Sequence, residues 1–350
     1  VTQMTAMFYY CNSLVNLDLS NFNTSQVTSM SNMFNGCNKL SNLDLSNFNT
    51  SKVIMMENLL YDCYNLENIN LGSFDTTNVI NMSSMFNNCK RLTSLDISNF
   101  KTSNVRYMDY MFAHCNKIST LDLSNFDTSN VTTMAGMFYG CKGLTNLNIS
   151  NFKTQKVTDM NRMFCGCALT SIDLSNFNTS AVKDMGEMFA GSSFIQLNLN
   201  NFNTSQVTNM SQMFNRCSKL TTLDLSNFDT RKVTMMTDMF SFCRSLISLN
   251  LSNFDTSQVI NMANMFEWCD KLTNLDLGSF NTSILANTSY MFSRCTSLRT
   301  INLSNAVFTK VTNSSDMFDG TSNLTVKVKD EAAKTFLTSK LGSHGTAVIA

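Results

Sequence analysis

Proline is absent from all 350 residues, so no segment is a proline-rich linker. Charged side chains make up only 14% of the chain, against roughly a quarter in ordinary globular domains. Lys plus Arg equals Asp plus Glu at 25 each, and a formal net charge of zero gives no long-range pull toward nucleic acid or an anionic membrane. No run of about 18 apolar residues exists to span a bilayer as a helix, and no segment reads as a signal peptide. Histidine occurs twice, at His114 and His344. Nor is there a glycine-rich phosphate loop, a metal-binding histidine pair or a nucleophile elbow. We therefore expect neither an enzyme nor a cofactor or metal protein.

What is present is periodic. Cys11, Cys37, Cys63, Cys89, Cys115, Cys141 and Cys167 recur every 26 residues, and Cys217, Cys243, Cys269 and Cys295 resume the series. The missing beat falls at Ser192, where the units Phe152 to Phe177 and Phe177 to Phe202 each run 25 residues. A fixed period of this size identifies a solenoid, in which each coil buries its apolar face only against the coils above and below. Hydrophobic residues at 43%, recurring in register, argue against disorder, while Asn, Ser and Thr take the surface positions that Lys and Glu usually fill.

Within one repeat the pattern changes midway. Leu17-Asp18-Leu19 alternates like a half-buried strand, whereas Val27, Met30, Met33 and Phe34 follow a helical stripe. Each coil thus reads as strand, turn and short helix, with Thr24 or Ser25 capping the helix and Asn35-Gly36 ending it in a left-handed residue. Stacked strands are about 4.8 Å apart and packed helices about 8–10 Å. True helices would therefore curve the array, whereas tight 3₁₀ turns would keep it nearly straight. The opening Val1-Thr2-Gln3-Met4 matches Val27-Thr28-Ser29-Met30, so we expect the chain to start mid-repeat, with further protein upstream.

The segment Leu-x-x-Leu-Asp-Leu-Ser-Asn-Phe resembles a leucine-rich-repeat strand with its Asn corner. The longer pattern in Met213 to Val233 resembles the BspA-like leucine-rich repeat surface proteins. That resemblance spans nearly the whole chain and implies a cell-surface or secreted protein used in attachment or host contact. The expected fold is an α/β repeat solenoid, leucine-rich-repeat-like, with a parallel sheet on one face and short helices on the other. We expect about 12–13 coils over residues 1–323. Residues 324–350 read as a C-terminal cap: a strand at Leu324-Thr325-Val326-Lys327-Val328, a helix capped by Asp330 and ended by Gly342, and a last strand at Ala347-Val348-Ile349.

Stacking turns each repeat position into a column. The cysteine column reads as one small buried residue per turn, replaceable by Ser192 and Thr321, although neighbouring thiols would stand within disulfide range. Cys165, off the column, is expected to be exposed. Asp18, Asp44, Asn70, Asp96 and their successors to Asn302 form an outward column in which interleaved Asn amides relieve carboxylate repulsion; calcium or a cationic ligand is the alternative. The threonine column from Thr24 to Thr282 reads as helix caps, with ice or crystalline polysaccharide binding as the alternative.

Recognition needs differences between coils, and these cluster just after each Met-Phe pair. Tyr9, Tyr10, Tyr61, His114, Tyr139, Phe242 and Trp268 are the candidate ligand-binding residues, with Arg162, Arg216 and Arg244 nearby. Aromatic and Arg side chains are common anchors of binding surfaces. The sequence therefore points to a non-enzymatic surface binding module that contacts a protein or glycan of a host or neighbouring cell, without nucleic acid or membrane insertion. A structural stalk with no specific ligand is the second reading.

Overall fold

In the triplet Asn42-Leu43-Asp44 the middle side chain turns inward and its neighbours face water, and that alternation sets a three-residue strand. The computed structural model describes residues 1–350, which fall into two compact units, Val1–Phe177 and Asn178–Ala350. Each unit is a parallel-strand solenoid. In the first, β1 (Asn42–Asp44) pairs with β2 (Asn68–Asn70), and β3 (Thr120–Asp122) pairs with β4 (Asn146–Asn148). In the second, β5 (Thr222–Leu223) pairs with β6 (Ser248–Leu249). There β7 (Asn274–Asp276), β8 (Thr300–Leu303), β9 (Leu324–Val328) and β10 (Gly345–Ile349) form one parallel sheet in the order β10-β9-β8-β7. Register places each residue opposite its equivalent one repeat on, as Leu43 opposite Ile69 and Leu121 opposite Leu147.

The expected short helices are not formed. Between Val27 and Cys37 the backbone makes consecutive tight turns, in which the amides of Met33, Asn35 and Cys37 reach back three residues to the carbonyls of Met30, Asn32 and Phe34 at 3.0–3.1 Å. The intervening amides of Met30, Asn32, Phe34 and Gly36 leave the segment and donate to Met55, Glu57, Leu59 and Tyr61 of the next coil at 2.8–3.0 Å. A helix would consume all of these donors internally. By sending every second one to its neighbour, the turn ribbon stacks with the close spacing of a β-sheet. The Phe rings record that spacing, lying nearly parallel with centroids 5.8 Å apart for Phe86–Phe112 and Phe214–Phe240 and 5.7 Å for Phe266–Phe292. A further parallel column of single-residue bridges, such as Ser29↔Met55↔Asn81 and Asn209↔Met235↔Asn261, ties each coil to the next where the ribbon begins.

Without helices to cap, the threonines serve a different purpose. The buried Thr50 hydroxyl donates to the carbonyl of Asp75 (2.9 Å) and accepts from the amide of the same residue (2.8 Å), so one side chain satisfies both backbone groups of its neighbour in the next coil. The bond pattern repeats at Thr76, Thr128, Thr204 and Thr230. At the strand corner the Asn99 amide reaches back to the carbonyls of Leu71 (3.1 Å) and Phe74 (2.8 Å), and Ser73 replaces Asn by bonding Leu45 and Phe48. Between these polar clamps Val, Met, Phe, Cys and Leu columns fill the core, most of them fully buried. Each large apolar side chain so buried contributes about 1.5–3 kcal/mol.

All twelve cysteines are free, and the column is buried from Cys37 onward. Each thiol donates back one coil, Cys63 Sγ to the Phe34 carbonyl at 3.2 Å and Cys243 Sγ to Phe214 at 3.1 Å, so the column packs and hydrogen-bonds without cross-linking. Burial pushes the Cys37 thiol up to about 11 and those of Cys141 and Cys295 to about 12. Ser192 keeps the beat in the second unit, its hydroxyl 3.6 Å from Cys217 Sγ.

Helix forms where the repeat ends. In α1 (Glu331–Leu341) the Asp330 side chain accepts from the Ala333 amide at 2.9 Å, Ala333, Leu337 and Leu341 are buried, and Gly342 stands at the C-cap with a φ of 51°. Phe336 stacks on Phe308 at 4.8 Å.

Thr128→Val keeps the shape of one clamp but strands the Lys153 amide, which donates to the hydroxyl at 2.7 Å. The variant is expected to lose about 1–3 kcal/mol in urea denaturation, whereas Thr128→Ser loses less.

Candidate binding edge

Stacked turns fix an unusual backbone state at two positions per coil, and the second of them is the second residue after the Met-Phe pair. Tyr10 (φ 54°), Gly36 (78°), Asp62 (60°), Asn88 (63°) and His114 (57°) in the first unit are all left-handed, as are Arg216 (60°), Phe242 (61°), Trp268 (59°) and Arg294 (61°) in the second. A non-glycine residue there costs about 1–2 kcal/mol. The cost is offset because the position must pass its amide to the next coil, as His114 does to Tyr139 (2.7 Å) and Trp268 to Ser293 (2.9 Å). The side chain is then directed out of the core and across its neighbour. Side chains along this column form an edge.

The structure divides the seven sequence-selected residues among four places. Tyr9 and Tyr10, both about half exposed, meet edge-to-face at 4.6 Å, and the Tyr10 ring lies over Gly36, where an added Cβ would come within 3.1 Å of it. Tyr61, further along the first unit, is partly buried; burial, the Asp62 carboxylate and Tyr10 push its phenol up. His114 and Tyr139 meet at 4.7 Å, and Tyr110, not selected from sequence, adds a third ring 6.5 Å from Tyr139. Burial, then the ammoniums of Lys90 and Lys142, hold the His114 imidazole below its ordinary value. In the second unit Phe242 stacks on Trp268 at 5.9 Å, within a ladder flanked by guanidiniums. Arg216 lies over Phe242 (4.8 Å), Arg244 over Trp268 (4.5 Å) and Arg294 over Trp268 (5.7 Å).

Carboxylates line that ladder, and sequence reading did not select them. Arg294 pairs with Asp319 at 3.0 Å, and Ser241 donates to Glu267 at 3.5 Å. Burial raises the carboxyl of Asp238 against the opposing pull of an Asn264 hydrogen bond and the Arg216 guanidinium. Burial likewise raises Glu267, helped by Asp238, and Asp270, opposed by Arg244 and Lys271. Arg294 was discoverable from sequence, since it stands 26 residues after Trp268 in the same column. Arg162 belongs elsewhere, on the other left-handed position of the turn ribbon with Asn32 and Asn58. Cys165 is buried, contrary to its expected exposure, and its own carbonyl accepts the Gly140 amide at 2.7 Å.

On the strand face each acid is locked locally. Asp18, Asp44, Asp122 and Asp224 accept the amide two residues on at 2.9–3.0 Å, which holds their carboxyls below the ordinary value. Asn302 donates to Asp276 at 2.8 Å, the interleaved relief expected from sequence. Shallow grooves run along these strands, about 750 Å³ over β1 and β2 and about 680 Å³ over β5 and β6. No His, Cys, Asp and Glu group of three or more is arranged to hold a metal ion, and no helix is long and apolar enough to cross a membrane.

An array of near-identical coils with one variable edge defines a repeat protein, and its sequence assigns it to a family. The chain belongs to the family described as Mycoplasma protein of unknown function, DUF285, whose model matches residues 1–93, 65–170, 142–248 and 218–330. No curated protein matches. Among solved structures, the functional domain of InlJ from Listeria monocytogenes, which includes a cysteine ladder, is similar at 17% identity and a TM-score of 0.39. The match covers 95% of this chain and 65% of that one, so the chain spans less than two thirds of its length. A leucine-rich cell surface protein from Faecalibacterium prausnitzii A2-165 is similar at 17% identity and a TM-score of 0.35, over 93% of this chain and 77% of that one.

Two outcomes check this geometry. Gly140→Ala places a Cβ at a φ of 68° and against the His114 ring, so a loss of about 1–2 kcal/mol from backbone strain plus a clash is expected in denaturation; adding His114→Ala recovers only the clash. Asp238→Asn is expected to raise the melting temperature at pH 7. A carboxyl raised in the folded state costs stability once ionised, so the gain shrinks as pH falls through the folded value and vanishes below the unfolded one.

Proposed function

We propose that this chain is a non-enzymatic binding module of a cell-surface or secreted protein, and that it contacts a protein or glycan of a host or neighbouring cell through its variable edge. The observation that carries the reading is the ladder Arg216–Phe242–Trp268–Arg294. It sets two large rings and their guanidiniums on a regular backbone, partly exposed, beside core columns that change little from coil to coil. Rings and guanidiniums already held by their neighbours lose little conformational freedom on binding. Surface location rests on the repeat pattern's resemblance to BspA-like proteins. Tyr9, Tyr10, Tyr61, His114 and Tyr139 extend the proposed contact residues along the first unit.

A second reading, a structural spacer, is favoured by the Thr, Asn and Cys clamps, which recur with no gradient along either unit. The two readings separate on the purified chain applied to cultured epithelial cells. Trp268→Ala is expected to weaken cell binding about tenfold or more, the loss typical of an interface anchor, with an unchanged melting transition. Equal binding by the folded variant would favour the spacer.

A further inference from the structure

The net charge of zero conceals a local segregation. In the first unit, Val1–Phe177, the two residues between the cysteine and leucine columns include Lys39, Lys90, Arg91, Lys117 and Lys142, all exposed, and no acid at either position. The unit's strand-column acids, Asp18, Asp44, Asp96, Asp122 and Asp173, lie instead on the strand face, each committed to an amide or hydroxyl two residues on. Two contacts lie in the basic corner: Lys90 Nζ is 4.7 Å over the Tyr64 ring, and Arg91 reaches the Glu67 carboxylate at 3.3 Å. Burial, then the ammoniums of Lys90 and Lys142, hold the His114 imidazole below its ordinary value. Asp62 is the other nearby acid, held by the Asn88 amide at 2.7 Å. Tyr61, Tyr64 and Tyr139 interleave with the cations at partly exposed positions.

We propose that this corner is a docking track for an acidic polysaccharide, a chain of sugar rings bearing carboxylate or sulfate groups, laid across the coils. The site is distinct from the arginine–aromatic ladder of the other unit and does not depend on it. Charge spacing selects the ligand class. Lys39 to Lys142 spans four coil steps of about 4.8 Å, so five cations occupy roughly 19 Å. With one paired to Glu67, roughly one remains for every 5 Å. Duplex nucleic acid presents about one phosphate per 1.7 Å of helix axis, or about 3.4 Å along each of its strands, denser than this track. An extended polyuronate, with one carboxylate on every ring, carries its charges at about the length of a sugar ring. Its C–H faces also suit the Tyr64 and Tyr139 rings, which lie at the same corner as the cations.

The test uses the full chain, with oligogalacturonate and heparin oligosaccharides as probes, the first carrying one carboxylate per ring, measured calorimetrically at about 50 and 200 mM salt. Wild type is expected to bind at least one of them and to weaken as salt rises. The surface variant Lys39→Gln/Lys90→Gln/Lys117→Gln/Lys142→Gln is expected to lose at least about tenfold in affinity while keeping its melting temperature, and Trp268→Ala is expected to bind as wild type does. In the free quadruple variant the His114 pKa, followed by NMR, rises because two opposing ammoniums are gone; in wild type it rises on saturation with the oligosaccharide. The proposal is overturned if folded wild type binds neither probe at the lower salt, or if the quadruple variant binds equally well. Binding of duplex DNA of matched length at least as tight as either oligosaccharide would also overturn it. Loss of oligosaccharide binding in Trp268→Ala but not in the quadruple variant would likewise sink this site, without touching the cell-binding reading.

Discussion

Everything in these coils depends on the division of backbone donors in the turn ribbon. Amides at alternate positions, such as those of Met30, Asn32, Phe34 and Gly36, serve the next coil, while Met33, Asn35 and Cys37 close local turns. This gives the back of each coil the same rise per repeat as its strand, so strand, corner and ribbon stack in step. Phe rings then pile face to face and Thr hydroxyls meet equivalent backbone groups in the next coil. The core tolerates little variation because every residue touches its own likeness above and below.

The same division creates the edge. A ribbon that hands an amide outward at each step must pass through a left-handed residue twice per coil, and the second of these aims its side chain away from the core. Residue choice there is free of core packing, which is why one column holds Gly36, Asp62, His114, Arg216 and Trp268 in turn. Variability in this protein is therefore concentrated by backbone geometry. The aromatic and basic residues proposed for recognition stand where the fold asks least of a side chain.

The strand triplets, the stacking and the terminal strand–helix–strand elements were legible in the sequence because period-two alternation, a fixed repeat and capping chemistry each have a direct structural meaning. The turn ribbon was not. Val27, Met30, Met33 and Phe34 face inward in either a helix or a chain of turns, and periodicity reports which side chains are buried, not which carbonyl each amide finds. The threonines were misread as caps for the same reason. The edge residues were identifiable by their failure to repeat, but their grouping depends on which column each occupies. A usable signal was present in Gly36, Asp62, Asn88 and Gly140, since Gly, Asn and Asp recurring at one position mark a left-handed backbone.

The cysteine column has a consequence for the life history of the molecule. Folded, the column thiols from Cys37 onward are buried and bonded to carbonyls, and burial raises those of Cys37, Cys141 and Cys295, so an oxidant meets almost no thiolate there. Once unfolded, twelve ordinary thiols are spaced along one chain and exchange freely. In an oxidising setting, opening is then a ratchet: the denatured chain knots itself with mismatched disulfides that the stacked coils have no room to accept. Persistence outside a cell becomes a matter of how slowly the first coil opens, not of where the folding equilibrium lies.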